Sequence, residues 1–131
     1  MKNKSTIISI LFIVLLIGGV LFIKNKNINN NTNDIVNNVS VVDGKQIIEI
    51  KAKGGYFPRK TNAKADVPTI LKVKTQSNFD CSSALVIPSL NYRTNLPLTG
   101  ETLIDIGTQK TGTKLQGLCA MGMYNFVIEF N

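Results

Sequence analysis

Cys119, Met121 and Met123 stand at alternate positions in the segment LCAMGMYNF, residues 118–126, and the other cysteine of the chain, Cys81, lies 38 positions earlier. Thiolate and thioether sulfurs are soft donors, and among biological ions soft donors select Cu(I). The chain has no histidine. A blue-copper centre needs two imidazoles beside its cysteine, and a structural zinc site needs four cysteines or a mixture of cysteine and histidine, so neither can be built. Two thiolates and two thioethers suit one or two Cu(I) ions held for transport and not for electron transfer. A bland alternative accounts for the same residues: two cysteines in an extracytoplasmic domain form a disulfide, and methionines fill cores. Gly122 between the methionines marks a tight loop, where core-filling methionines are not expected. Spacing alone leaves a metal loop and a Cys81–Cys119 disulfide equally open.

The elements that must position these sulfurs are strands. From Gly44 onward, apolar residues alternate with polar ones. QIIEIKA puts Ile48, Ile50 and Ala52 on one face, and TILKVKT sets Leu71 and Val73 against Lys72 and Lys74. Leu85 and Ile87, Ile104 and Ile106, and Phe126, Ile128 and Phe130 repeat the pattern. Short period-two runs bounded by Gly, Pro, Asn or Ser predict half-buried antiparallel strands. Seven or so of them argue for a β-sandwich or barrel. TKLQGLC reads as the strand that delivers Cys119, with the methionines in the loop after it.

Residues 5–23, STIISILFIVLLIGGVLFI, carry no charge. At 1.5 Å per residue they reach about 28 Å, close to the hydrocarbon thickness of a bilayer. The run ends at Lys24-Asn25-Lys26 without a small-residue cleavage site and without a lipoprotein cysteine, so it is expected to remain as a single-pass anchor in the lipid bilayer (residues 1–23). Lys2 and Lys4 before it balance Lys24 and Lys26 after it, which gives the positive-inside rule nothing to act on. Residues 24–43 are rich in Asn and lack either periodicity, and read as a flexible linker to a domain at 44–131.

That domain carries eleven Lys and Arg against six Asp and Glu, a net charge of +5. The lysines alternate with core positions. Lys51, Lys53, Lys72 and Lys74 therefore read as the solvated faces of strands, where lysine also discourages edge-to-edge pairing, and no nucleic-acid stripe is formed. Attraction to anionic lipid or to an acidic partner stays open. Without histidine there is no Ser-His or Cys-His pair, and the eight carboxylates of the chain are scattered singly, so no catalytic residue is predicted. KAKGGYF lacks the Lys-Ser/Thr of a phosphate loop.

Taken in order, GGYFP (54–58), FDCSSALVIPSLN (79–91), LPLTGET (96–102) and TGTKLQGLCAMGM (111–123) resemble a cupredoxin-like domain, and within that group the membrane-anchored Cu(I) chaperones of the CupA type. The resemblance implies a Greek-key β-sandwich behind one N-terminal transmembrane helix. It implies a sulfur-only site for one or two Cu(I) ions, with Cys81 and Cys119 as shared thiolates and Met121 and Met123 completing the weaker position. It further implies a monomer on the cytoplasmic side of the cell membrane that sequesters copper and passes it to a copper-exporting P-type ATPase, conferring copper tolerance. Thr111-Gly112 stands where Pro-Gly is usual, and Leu115 and Gly117 replace bulkier residues before the cysteine, which puts the packing of that strand in question. The alternative reading is an extracytoplasmic structural or interaction domain closed by the disulfide.

Overall fold

The computed structural model describes residues 37–131. The apolar segment 5–23 and most of the linker lie outside the described residues; among the described residues no helix is long and apolar enough to cross a membrane. The strands are β1 (Val39–Val42), β2 (Lys45–Ala52), β3 (Tyr56–Phe57), β4 (Lys60–Ala63), β5 (Pro68–Thr75), β6 (Ala84–Ile87), β7 (Tyr92–Asn95), β8 (Gly100–Thr108), β9 (Lys114–Cys119) and β10 (Asn125–Phe130). Two 3-10 turns, Cys81–Ser83 and Pro88–Leu90, are the helical elements of this all-β unit.

The strands form two sheets of five. One runs β1-β2-β5-β8, with β3 also on β2; the other runs β4-β10-β9-β6-β7. The faces anticipated from alternation are the buried ones. Ile48, Ile50, Ala52, Leu71, Val73, Ile104 and Ile106 from the first sheet meet Leu85, Ile87, Leu115, Phe126, Ile128 and Phe130 from the second in a single core. An Ile, Leu or Phe side chain taken from water into such a core contributes about 1.5–3 kcal/mol, which is why the two inner faces close on each other.

Two expectations change. Not every pair is antiparallel: β2 and β5 run parallel, as do β4 and β10. The chain leaves β2 through β3, crosses to the second sheet as β4, and returns as β5. A strand that comes back after such a crossing can lie parallel to the one it left, which alternation within a strand does not encode. The ordered unit also begins before Gly44. Val39–Val42 pair with β2 in register Val39↔Ile48, and Asn38 donates from Nδ2 to the Glu49 carbonyl and to Thr61 Oγ1, at 3.0 and 2.9 Å. The last residues of the stretch read as linker thus belong to the sheet. They were not recognised because β1 buries little, with Val41 and Val42 both exposed.

The lysines of β5 do not guard an edge, since β5 lies between β2 and β8. Lys74 Nζ sits 2.9 Å from Glu49 and 3.4 Å from Glu101, and Lys72 is 3.9 Å from Glu101. The hydrogen bond to Glu49 raises the Lys74 pKa, with Glu101 adding to it. On the other sheet Glu129 of β10 bridges Lys60 of β4 and Lys114 of β9, at 2.9 and 3.1 Å. These lysines hold neighbouring strands through cross-strand pairs on solvated faces, each pair a small contribution.

Candidate metal centre

Cys119 is the last residue of β9, and the chain turns immediately after it. Its amide donates to the Tyr124 carbonyl at 2.9 Å, and its carbonyl accepts from the Gly122 amide at 2.8 Å. Gly122 makes the turn in the left-handed region at φ +73°, a conformation strained for any residue with a side chain. The Ala120 amide bonds the Ala84 carbonyl at 2.9 Å and ties this loop to β6. The strand does not continue through the methionines, as anticipated from Gly122. Cys119 is fully buried, whereas Met121 and Met123 are 72% and 66% exposed on the loop. The Tyr124 amide donates to Cys119 Sγ at 3.4 Å.

Cys81 is held by a second set of contacts. It opens the 3-10 turn Cys81–Ser83, capped by Asp80. One Asp80 carboxylate oxygen, Oδ1, accepts from the Ser82 amide at 2.8 Å and from Ser82 Oγ at 2.6 Å. The other, Oδ2, accepts from the Gly54 amide at 2.6 Å. The GGYFP opening is therefore a clamp on the Cys81 turn. Gly54 gives its amide to Asp80, and two residues on the buried Tyr56 hydroxyl donates to the Ser82 carbonyl at 3.0 Å. Burial pushes Tyr56 up to about 12, with the Asp80 charge adding to the shift, so the hydroxyl stays a donor at every physiological pH. The Tyr56 ring stands edge-on to Phe126, centroids 5.2 Å apart, which anchors the clamp in the core. Leu96 completes the fastening through its amide, 2.7 Å from the Ser83 carbonyl.

Asp80, Ser82 and Tyr56 were not among the residues picked out from the sequence. The Asp-x-Ser spacing at 80–82 is a capping signature that could have revealed the first two. Hydrogen bonds from Ser82 hold the Asp80 pKa below its ordinary value, the bond to Gly54 helping. The carboxylate's contribution is complete above the usual carboxylate range and is lost as pH falls through the depressed value. Stability measured by thermal unfolding is expected to stay flat from neutral pH to about pH 5 and to fall below the ordinary Asp value of about 4. Asp80→Asn should remove part of that fall. On the reading that Cys81 holds a metal, Asp80→Ala, which releases the Cys81 turn, is also expected to weaken metal retention by roughly 10–100-fold.

The two loops bring Cys81 and Cys119 together. Their Cα atoms are 5.8 Å apart and the sulfurs are paired as a disulfide, with Cys81 the half-buried partner. Met121 and Met123 lie on the Cys119 loop itself. No group of three or more His, Cys, Asp or Glu placed to hold a metal occurs among the described residues, so a metal would need this pair reduced to thiolates and would draw further Cys- or Met-type ligands from the thioethers alone. That donor set fits a soft monovalent ion and does not fit zinc, calcium or magnesium.

Neither a protein-family model nor a curated protein sequence matches the chain. Solved structures share its fold. The metal-binding domain of the Streptococcus pneumoniae D39 Cu(I)-exporting P-type ATPase CopA, determined with Cu(I), superposes with a TM-score of 0.63 at 19% identity. The match covers 71% of this chain and 92% of that domain. A copper-binding protein determined by NMR in its apo form also gives a TM-score of 0.63, at 24% identity, and covers 71% of this chain and 94% of that one. At these identities the likeness is one of fold.

Proposed function

We propose that this chain is a Cu(I) carrier of the CupA type, a cupredoxin-like domain that sequesters copper without catalysing a reaction. The observation that carries the reading is the convergence of both cysteines at one place, next to a loop with two solvent-facing thioethers. The copper-binding proteins that share the fold support it. On this reading Cys81 and Cys119 are the retaining thiolates, deprotonated as the ion binds, and Met121 and Met123 hold a second Cu(I) less tightly at the exposed edge, from which it leaves first. Residues 5–23 anchor the protein in the cell membrane, the domain faces the cytoplasm where thiols and Cu(I) persist, and the acceptor is a copper-exporting P-type ATPase.

The division of labour is open to test. The full chain, reduced and titrated against a Cu(I) chelator, should bind two ions of unequal affinity. Met121→Ala combined with Met123→Ala should leave one, still tightly held. Loss of all binding in the double variant would contradict the assignment.

A second reading rests on the pairing of the two sulfurs: a structural or interaction domain facing an oxidising compartment and closed by a Cys81–Cys119 disulfide. It requires no copper and leaves the exposed methionines without a role.

A further inference from the structure

A cleft of about 470 Å³ opens beside the proposed exit edge, and one of the thioethers, Met123, is part of its wall. Tyr124, Phe57, Lys53 and Arg59 also line it. The size lies within the range of small-molecule sites. Its lining includes two cations and no carboxylate. The Asp80 carboxylate, behind Gly54, has both oxygens taken by the Gly54 amide and by Ser82. Gly55, whose φ of +124° is one that side chains rarely adopt, lies beside the Tyr124 ring. A cleft that joins a soft sulfur to two cations that form no salt bridge among the described residues is complementary to a ligand that is both soft-metal-bearing and anionic.

Resting on the carrier reading above, we infer that this cleft receives Cu(I) as its complex with a small anionic thiol, a thiol carboxylate of tripeptide size. Lys53 and Arg59 bind the carboxylates, and Met123 makes the first protein contact with the metal. The Cys81–Cys119 disulfide is first reduced by two molecules of the same small thiol, which are oxidised to their own disulfide and leave a dithiol; from that dithiol the exchange balances without electron transfer. Met123 Sδ adds to the incoming Cu(I); a cysteine thiol of the Cys81–Cys119 pair displaces the carrier thiolate; the proton lost from that cysteine goes to the departing thiolate, which leaves as free thiol. Copper remains Cu(I) throughout.

The ligand class can be tested without copper. S-methylglutathione, which is anionic but cannot deliver a metal, is titrated into the reduced full chain in detergent while the amide signals of Gly54, Gly55 and Tyr124 are followed. Saturable shifts at these residues are expected, weakened roughly ten-fold or more in Lys53→Glu/Arg59→Glu, and also when the probe's carboxylates are esterified. Copper uptake is then timed from Cu(I)–glutathione and from Cu(I) bound to a neutral thiol. The charge-reversed variant should slow the first by roughly ten-fold and the second not at all, with its chelator-determined affinity unchanged. Both side chains are exposed, and Lys53→Gln/Arg59→Gln repeats the test with a milder change. Absence of shifts in the cleft, or equal uptake from charged and neutral complexes, would overturn the inference. Failure of the wild-type chain to hold any Cu(I) against the chelator would instead overturn the carrier reading, and the metal-free titration tells the two apart.

Discussion

Cys119→Ser is expected to abolish copper retention while leaving the fold in place. Cys119 is fully buried at the end of β9, and its sulfur accepts a hydrogen bond from the Tyr124 amide. A serine hydroxyl is close in size and can accept the same bond, so the substitution changes the softness of the donor more than the packing around it. Oxygen does not replace sulfur as a Cu(I) ligand. The loss of affinity should exceed the roughly 100-fold upper range of changes that only disturb ligand orientation, and Cys81→Ser should match it. The structural-disulfide reading predicts a different result. A cross-link spanning 38 residues restrains the unfolded chain by about 4 kcal/mol on the loop-entropy estimate, so under that reading the same variant unfolds at much lower temperature under non-reducing conditions and copper is irrelevant. Melting curves under non-reducing conditions, wild type against Cys119→Ser, should nearly coincide if the carrier reading holds, and a large fall in the variant would contradict it.

The second large effect is on stability. Gly117 faces Phe126 across the β9–β10 pair, and a Cβ at Gly117 would overlap the Phe126 ring. Phe126 is fully buried, with Tyr56 against its edge, so the ring has little room to withdraw. Gly117→Ala is therefore expected to cost about 1–3 kcal/mol through overpacking. For a domain of this size that is a fall in melting temperature of roughly 5–20 °C. Combining it with Phe126→Leu should recover part of the loss, because the smaller side chain vacates the space, and the double-mutant cycle should show positive coupling. A neutral Gly117→Ala would mean that the ring is free to move. Since Phe126 also supports Tyr56, and Tyr56 holds the Cys81 turn through Ser82, the variant is expected to lower copper affinity as well.

These two variants bracket what could be read from the sequence. Period-two alternation located the inward faces, from Ile48 and Ile50 through Phe126 and Phe130, because burial on one side of a strand leaves a pattern in residue types alone. The loop character of Met121–Met123 was legible from Gly122, which has the left-handed backbone such a turn needs. The parallel pairs were not legible, because strand direction depends on which sheet the chain visits between two strands. Nor was the start of the ordered unit, where Val41 and Val42 contribute edge hydrogen bonds and little burial. Gly117 looked like a weakness in the strand before Cys119. It is instead a seat for the Phe126 ring, and that becomes visible only when the β9–β10 register pairs the two residues. The site divides in the same way. Sulfur chemistry singled out Cys81, Cys119, Met121 and Met123. The clamp that fixes Cys81 joins residues 26 apart in sequence, Gly54 to Asp80 and Tyr56 to Ser82, and no local pattern links them.

The state of the paired sulfurs separates the two readings. Thiol titration of the full chain, purified with its membrane and without reductant, measures their state directly before and after Cu(I) is added. The carrier reading predicts two reactive thiols that become protected when Cu(I) binds and reappear when a chelator removes it. No reactive thiols in the purified chain, together with indifference to Cu(I), would contradict it.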